Sequence, residues 1–197
     1  MRKRKADNRK RLLEAALKVT YRRGFAGAAL ADIAKEARIP LGNLYYYFQS
    51  KDQIGDAIVE QRVSRLRKLL EEFNRTESRK ERLCAFVENK IKNRDDLARR
   101  GCPAGTLCSE LHKSGGTVAR KSTRLFREAL AWMQEQFEAL GQGSDSRGLA
   151  VHLLSATQGV SILAHTFHDP SMIETEAARL KEWIRSLEPR SGESRAG

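Results

Sequence analysis

Pro40-Leu41-Gly42-Asn43-Leu44-Tyr45-Tyr46-Tyr47-Phe48 is the stretch whose reading decides the fold. Leu44 and Phe48 stand four apart, the separation that puts two side chains on one side of a helix, and they are assigned to the core with Tyr47 near the same side. Tyr45 and Tyr46 then turn outwards, alongside the small and polar Gly42 and Asn43. Pro40 suits the first turn of this helix, and Arg38-Ile39 leave the α region because a residue before proline is driven out of it. Upstream, Leu30, Ile33, Ala34 and Ala37 share one side of a second, shorter helix. Before it, Leu13, Ala16, Leu17, Thr20 and Tyr21 form the stripe of a first helix that stops near Gly24, with Phe25 entering the core after the turn.

Two short helices joined by a tight turn, the second bearing small, polar and aromatic side chains in place of a full apolar stripe, have the form of a helix-turn-helix. Its second helix suits a major groove. Gly42 allows close backbone approach, the Asn43 amide has the donor and acceptor pair that reads a base edge, and tyrosine hydroxyls bond phosphate oxygens. Lys51, opening the next helix, adds a phosphate contact together with the helix N-terminus. Any one tyrosine reads equally as a packing residue with a satisfied hydroxyl.

Downstream the pattern stays helical. Ser50 followed by Gln53 is a capping-box signature, and Ile54, Ala57, Ile58, Leu66, Leu69, Leu70 and Phe73 describe a long fourth helix linking two domains. Leu83, Phe86, Val87 and Ile91 continue from Arg79 until Gly101-Cys102-Pro103-Ala104-Gly105 interrupts them. After a short segment around Leu107-Cys108-Leu111 and a break at Gly115-Gly116, the apolar positions from Val118 to Leu140 predict one long helix. Residues 149–167 are apolar on several faces, and a second capping box, Ser171 to Glu174, opens a last helix through Leu187. The reading is all-α: a head at 1–51 with a basic arm, a helical domain at 52–188, and a disordered tail at 189–197. The two closing helices expose enough apolar surface to point to helix-on-helix dimerisation, the alternative being a buried pair within one subunit.

Charge separates the two domains. Residues 1–51 carry 13 Lys and Arg against 4 Asp and Glu, whereas residues 52–197 carry 24 against 21. Such an excess on one small unit fits a polyanion, whose counterions are released on binding, or else a solvated arm that keeps the chain in solution. No apolar run approaches the roughly 20 residues of a membrane span, and no apolar segment follows MRKRKADNRKR to act as a secretion signal. Three cysteines, Cys84, Cys102 and Cys108, are too few for a disulfide framework and lack zinc-site spacing, so a reducing cytoplasm is expected. His112, His152, His165 and His168 form no metal-ligand motif, and no cofactor is implied.

Residues 11–60, through Gly24-Phe25, Asp32-Ile33-Ala34, Gly42 to Phe48 and Ser50-Lys51, resemble the N-terminal domain of the TetR family of transcriptional regulators. The resemblance covers about a quarter of the chain. It implies a homodimeric repressor with a three-helix DNA-binding head and a helical effector domain, whose last two long helices build a four-helix dimer interface. Leu41, Gly42, Asn43, Tyr45 and Tyr46 would then face double-stranded DNA, with Tyr47 and Lys51 at phosphates. Ala28 and Ala29 stand where the family commonly has Thr or Ser, Arg38 where it has Gly, and Pro40 where it has Ser or Thr. Asp32 compensates part of the lost cap through the helix dipole. The arm from Arg2 to Arg11 is expected to be disordered without DNA and to screen the duplex backbone.

Candidates for sensing lie in the second part. Gly101 to Glu110 resembles a segment at the effector-domain entrance of some TetR-type regulators, in a few of which a cysteine senses electrophiles or oxidants. Arg99 and Arg100 lie just upstream of Cys102 and could lower a thiol pKa there, but the preferred reading of Cys102 and Cys108 is as small apolar wall residues, since buried cysteine is usually inert. Phe86, Phe126, Trp132, Met133 and Phe137 are cavity-lining or core residues for an unknown small-molecule effector. The rival readings are an architectural DNA binder without an operator, and a small enzyme with Cys102 or Cys108 as nucleophile and His112 as base. No orienting acid stands at a useful spacing for the latter.

Overall fold

The computed structural model describes residues 2–189, with side chains from residue 5 onward; the expected tail lies, beyond Pro189, outside them. Every regular element among these residues is helical: α1 (Arg2–Gly27), α2 (Leu30–Ala37), α3 (Leu41–Tyr47), α4 (Lys51–Asn74), α5 (Arg79–Lys92), α6 (Arg94–Arg100), α7 (Pro103–Ser114), α8 (Gly116–Ser122), α9 (Arg124–Ala139), α10 (Ser146–Phe167) and α11 (Ser171–Ser186), with a 3₁₀ turn at Gly143–Asp145. The all-α reading holds.

The compact division does not follow the boundary expected at residue 51. One unit is residues 1–64 with 103–125, the other 65–102 with 126–197. Named contacts explain why α7, α8 and the first half of α4 fall in the first unit. Lys121 on α8 pairs with Asp56 on α4 at 2.5 Å, Arg124 pairs with Glu60, and the Glu110 carboxylate on α7 accepts the Phe25 amide at 2.6 Å.

In the first unit α1 packs on α2 and α7, α2 on α3, and α7 on α8. Leu12, Ala16, Val19, Ile33, Leu44, Ile54 and Ile58 are buried, each contributing on the order of 1.5–3 kcal/mol through removal from water for the larger ones. Of the expected stripe on α1, Ala16, Leu17 and Thr20 are buried and Leu13 and Tyr21 half-buried, and the buried face extends to Leu12, Ala15 and Val19. The arm expected to be disordered is helix from Arg2. Nothing between Arg2 and Arg23 breaks a helix, so the N-terminal turns grow from the packed ones.

In the second unit α5 and α10 pack on α11, and α6 packs on α10. Leu83, Val87, Met133, Phe137, Leu153, Leu180 and Ile184 form the centre of its core. Three local expectations fail here or at its margin. The long helix from Val118 is two, α8 and α9, separated at Thr123. Residues 94–100, read as part of the preceding helix, form a separate α6. At α11 the Ser171 side chain does not cap; the Asp169 carboxylate instead accepts both the Ser171 amide at 2.9 Å and its hydroxyl at 2.6 Å. A genuine cap, unmarked in the sequence reading, is Ser78, whose hydroxyl oxygen accepts the Glu81 amide at 3.3 Å and opens α5.

Candidate nucleic-acid interface

Helix α2 ends in a turn built without glycine. Arg38 takes the left-handed conformation at φ 54°, its amide donating to Lys35 O at 3.0 Å and the Ile39 amide to Ala34 O at 3.0 Å, the two bonds of a Schellman motif. Arg38 thus performs the backbone role for which glycine is better suited, at a cost of about 1 kcal/mol. Ala29 supplies no side-chain cap at the other end, and Asp32 is engaged by Arg23 rather than by backbone amides. The chain then passes through Ile39, buried, and Pro40, the N-cap, whose carbonyl oxygen accepts the Asn43 amide at 2.9 Å to start α3 at Leu41.

On α3 the four-residue spacing divides inside from outside as expected. Leu44 is 0% exposed and Phe48 is buried, whereas Leu41, Gly42, Asn43, Tyr45 and Tyr46 are exposed, Tyr46 to 66%. Tyr47 is half-buried, its ring edge-on to that of Tyr46 with centroids 5.3 Å apart. The helix is too short to hold itself; the Leu44 and Phe48 anchors and the packing of α2 on α3 fix which residues it presents.

The turn into α4 forms its capping box almost as written. Ser50 Oγ accepts the Gln53 amide at 3.2 Å, and Gln53 Oε1 reaches back to the Gln49 amide at 2.9 Å rather than to Ser50. Lys51 does not project freely. Its ammonium donates to Ala26 O at 2.8 Å and lies 5.3 Å from the centre of the Phe25 ring, tying α4 to the end of α1. An ammonium has three hydrogens, so this bond leaves two for a phosphate. Lys5 and Arg9, expected only as part of an arm screening the duplex backbone, stand on successive turns of α1 and lie against the rings of Tyr46 and Phe48. The unbroken helical pattern from Arg2 and their four-residue spacing put both on one side of α1, but nothing local sets which rings they meet.

The effector candidates separate. Phe86 and Trp132 are buried in the second unit and form a triangle of rings with Phe73, centroid separations being 6.0–6.5 Å, and Trp132 Nε1 donates to Asn74 Oδ1 at 2.9 Å. Phe126 is partly buried against the same core. Cys102 belongs to that unit, buried, with the Lys90 ammonium 3.9 Å from its sulfur. Cys108 belongs to the first unit, also buried, its thiol donating to Ser122 O at 3.4 Å. Cys84 is buried as well, and desolvation pushes its thiol above the ordinary value. Within the second unit α10 exposes Val151, Ile162, Leu163 and Phe167, the last at 63%.

Residues 12–58 match the family profile described as bacterial regulatory proteins, tetR family. The chain is 26% identical over 182 residues to an uncharacterized HTH-type transcriptional regulator in the lacX 3′ region of Lactococcus lactis subsp. lactis, covering 89% of this chain and 92% of that protein. It is 29% identical over 152 residues to the HTH-type transcriptional repressor DhaR of Mycobacterium sp. strain GP1, covering 75% of this chain and 74% of that one. A TetR transcriptional regulator from Legionella pneumophila superposes with a TM-score of 0.80 at 21% identity, over 88% of this chain and 95% of the other, a likeness of fold. Among the described residues no helix is long and apolar enough to cross a membrane.

Proposed function

We propose, from the match of residues 12–58 to the tetR family of bacterial regulatory proteins and from the likeness to HTH-type regulators, that the chain is a TetR-type DNA-binding regulator, a homodimeric, ligand-responsive repressor of a pseudo-palindromic operator. The observation that carries this reading is the face of α3. Leu41, Gly42, Asn43, Tyr45 and Tyr46 are offered to solvent on a helix anchored by Leu44 and Phe48, within the strongly basic first part of the chain. Asn43 reads a base edge, the tyrosine hydroxyls and Lys51 hold phosphates, and two such heads enter major grooves about 34–36 Å apart or a multiple of that. The relative DhaR is a repressor, which supports repression over activation.

The second copy is held by α10. Ile162, Leu163, Phe167 and Val151 are exposed large apolar side chains of one helix, a surface that a lone subunit has no reason to keep in water. Residues 1–51 act as the head and 52–188 as the effector and dimerisation region, a functional division that cuts across the compact units. An effector acts by binding the conformer unable to grip DNA more tightly than the one that grips it. The aromatic group of Phe86, Phe126 and Trp132 is its candidate contact, since a small apolar molecule is held by such side chains. Cys102 and Cys108 act as sensors only if their buried thiols open to solvent. Alkylation of the native protein tests this: loss of DNA binding supports sensing, and unchanged binding assigns both thiols to packing.

Binding to the DNA upstream of the protein's own reading frame and to a scrambled fragment of equal length, across a salt series, tests the central claim. Saturable binding by two subunits to the native fragment alone is expected if the operator lies there. If both fragments bind equally, a random-sequence selection decides: a recovered palindrome supports the regulator, and no preferred sequence leaves a non-specific grip.

A further inference from the structure

The first turns of α1 reach the aromatic residues of α3. The Lys5 ammonium donates to the Tyr46 hydroxyl oxygen at 2.6 Å and lies 4.5 Å from the centre of the same ring. Tyr47 meets that ring edge-on from its own helix, and one turn along α1 the Arg9 guanidinium lies 5.2 Å from the centre of the Phe48 ring. An exposed tyrosine ordinarily hops among rotamers in nanoseconds. Here Lys5 and Tyr47 contact the Tyr46 ring from two sides without DNA present.

The hydrogen-bond direction has a chemical consequence. The Tyr46 oxygen accepts from Lys5, so its own hydrogen remains to be donated outwards, and the ammonium keeps two further hydrogens. Two donors and a positive charge on an exposed rim are complementary to an anionic acceptor. On a duplex that acceptor is a backbone phosphate oxygen. The hydrogen bond that Lys5 donates to Tyr46 also raises the Lys5 pKa from its ordinary value.

We propose that Lys5 is a further residue of the DNA-binding surface: it positions the Tyr46 ring and joins its hydroxyl in holding one backbone phosphate. This rests on α3 being the helix that faces DNA. The N-terminal turns of α1 then contribute to the sequence-independent share of affinity and not to base choice, as part of one reading unit with α3.

The test takes the operator recovered by random-sequence selection with the full-length parent, plus a scrambled fragment, and measures Lys5→Met, Lys5→Arg, Tyr46→Phe and the Lys5→Met/Tyr46→Phe double variant across a salt series. Lys5→Met is expected to weaken both DNAs by about three- to tenfold and to reduce the salt slope by about one. Lys5→Arg recovers most of the loss, and Lys5→Met costs less when Tyr46 is already Phe, the coupling that a positioning role requires. Parental affinity and slope for Lys5→Met overturn the proposal, as do a loss confined to the operator or losses that simply multiply. A selection that returns no preferred sequence defeats the regulator reading instead, and the Lys5 measurements on scrambled DNA still stand apart from it.

Discussion

The Glu110 carboxylate accepts the Phe25 amide at 2.6 Å, joining residues 85 positions apart. The same carboxylate accepts the Ala26 amide at 3.2 Å. It does so where α1 is interrupted by Gly24 at φ 76°, ψ 162°, a conformation that only glycine takes without strain. The turn into the helix-turn-helix is therefore closed by a side chain of α7, and the amides freed by the break in α1 find their acceptor there.

Gly24→Ala should destabilise the protein by about 2–3 kcal/mol. The new Cβ would lie 2.7 Å from Glu110 Oε1, in a backbone region closed to L-residues. Thermal unfolding should shift down by roughly 5–10 °C for a chain of this size. Glu110→Gln keeps one carbonyl acceptor and should lose less than Glu110→Ala. A Gly24→Ala midpoint equal to the parent's would mean that the turn carries no such constraint.

Leu44→Ala and Leu41→Ala, three residues apart on α3, should separate stability from recognition. Leu44 is fully buried, so its truncation should cost about 2–5 kcal/mol and lower the denaturation midpoint. Leu41 is exposed, and its truncation should leave stability within about 0.5 kcal/mol while weakening binding to the selected operator. Equal stability losses would invalidate the inside and outside assignment of the helix.

Ile162→Glu combined with Phe167→Glu should give a folded monomer. Both side chains are more than half exposed within the subunit, so the charges cost little in the isolated chain but are buried in a dimer that uses α10. Sedimentation should show one subunit where the parent shows two, with helical circular dichroism retained. A variant that stays dimeric places the interface elsewhere.

Glu36 gives the first unit an acid-sensitive contact. The hydrogen bond from Arg22, at 2.5 Å, holds its carboxyl below the ordinary 4.5, with the charges of Arg22, Lys18 and Arg38 adding to it. A carboxyl depressed in the folded state contributes stability that is present above 4.5 and lost as pH falls through the lower folded value. The stability difference between the parent and Glu36→Gln should accordingly be largest near neutrality and vanish in acid. A difference that persists unchanged well below pH 4.5 would rule out this linkage.

Much of the head was legible because its signals are local. The i, i+4 pair of Leu44 and Phe48 predicts which residues α3 buries, and Ser50 with Gln53 predicts where α4 begins; both depend on chain within one or two turns. Local rules failed where two local solutions compete. Ser171 with Glu174 has the form of a capping box, yet Asp169, only two residues before Ser171, takes its amide and captures its hydroxyl too. On α1 apolar residues fall on adjacent faces, and the fuller burial of Leu12 and Val19 than of Leu13 and Tyr21 was settled by what α2 and α7 present.

From the sequence alone came the all-α class, the helix-turn-helix, the exposed face of its second helix and the concentration of positive charge beside it, because helical periodicity and charge are properties of neighbouring residues. The tertiary structure alone decided that α7 and α8 pack in one unit with α1 to α3, that Lys51 spends one hydrogen bond on Ala26, and that Lys5 meets Tyr46 across 41 residues. Those are contacts between distant positions, each selected by the packing of whole helices, and no spacing along the chain encodes them.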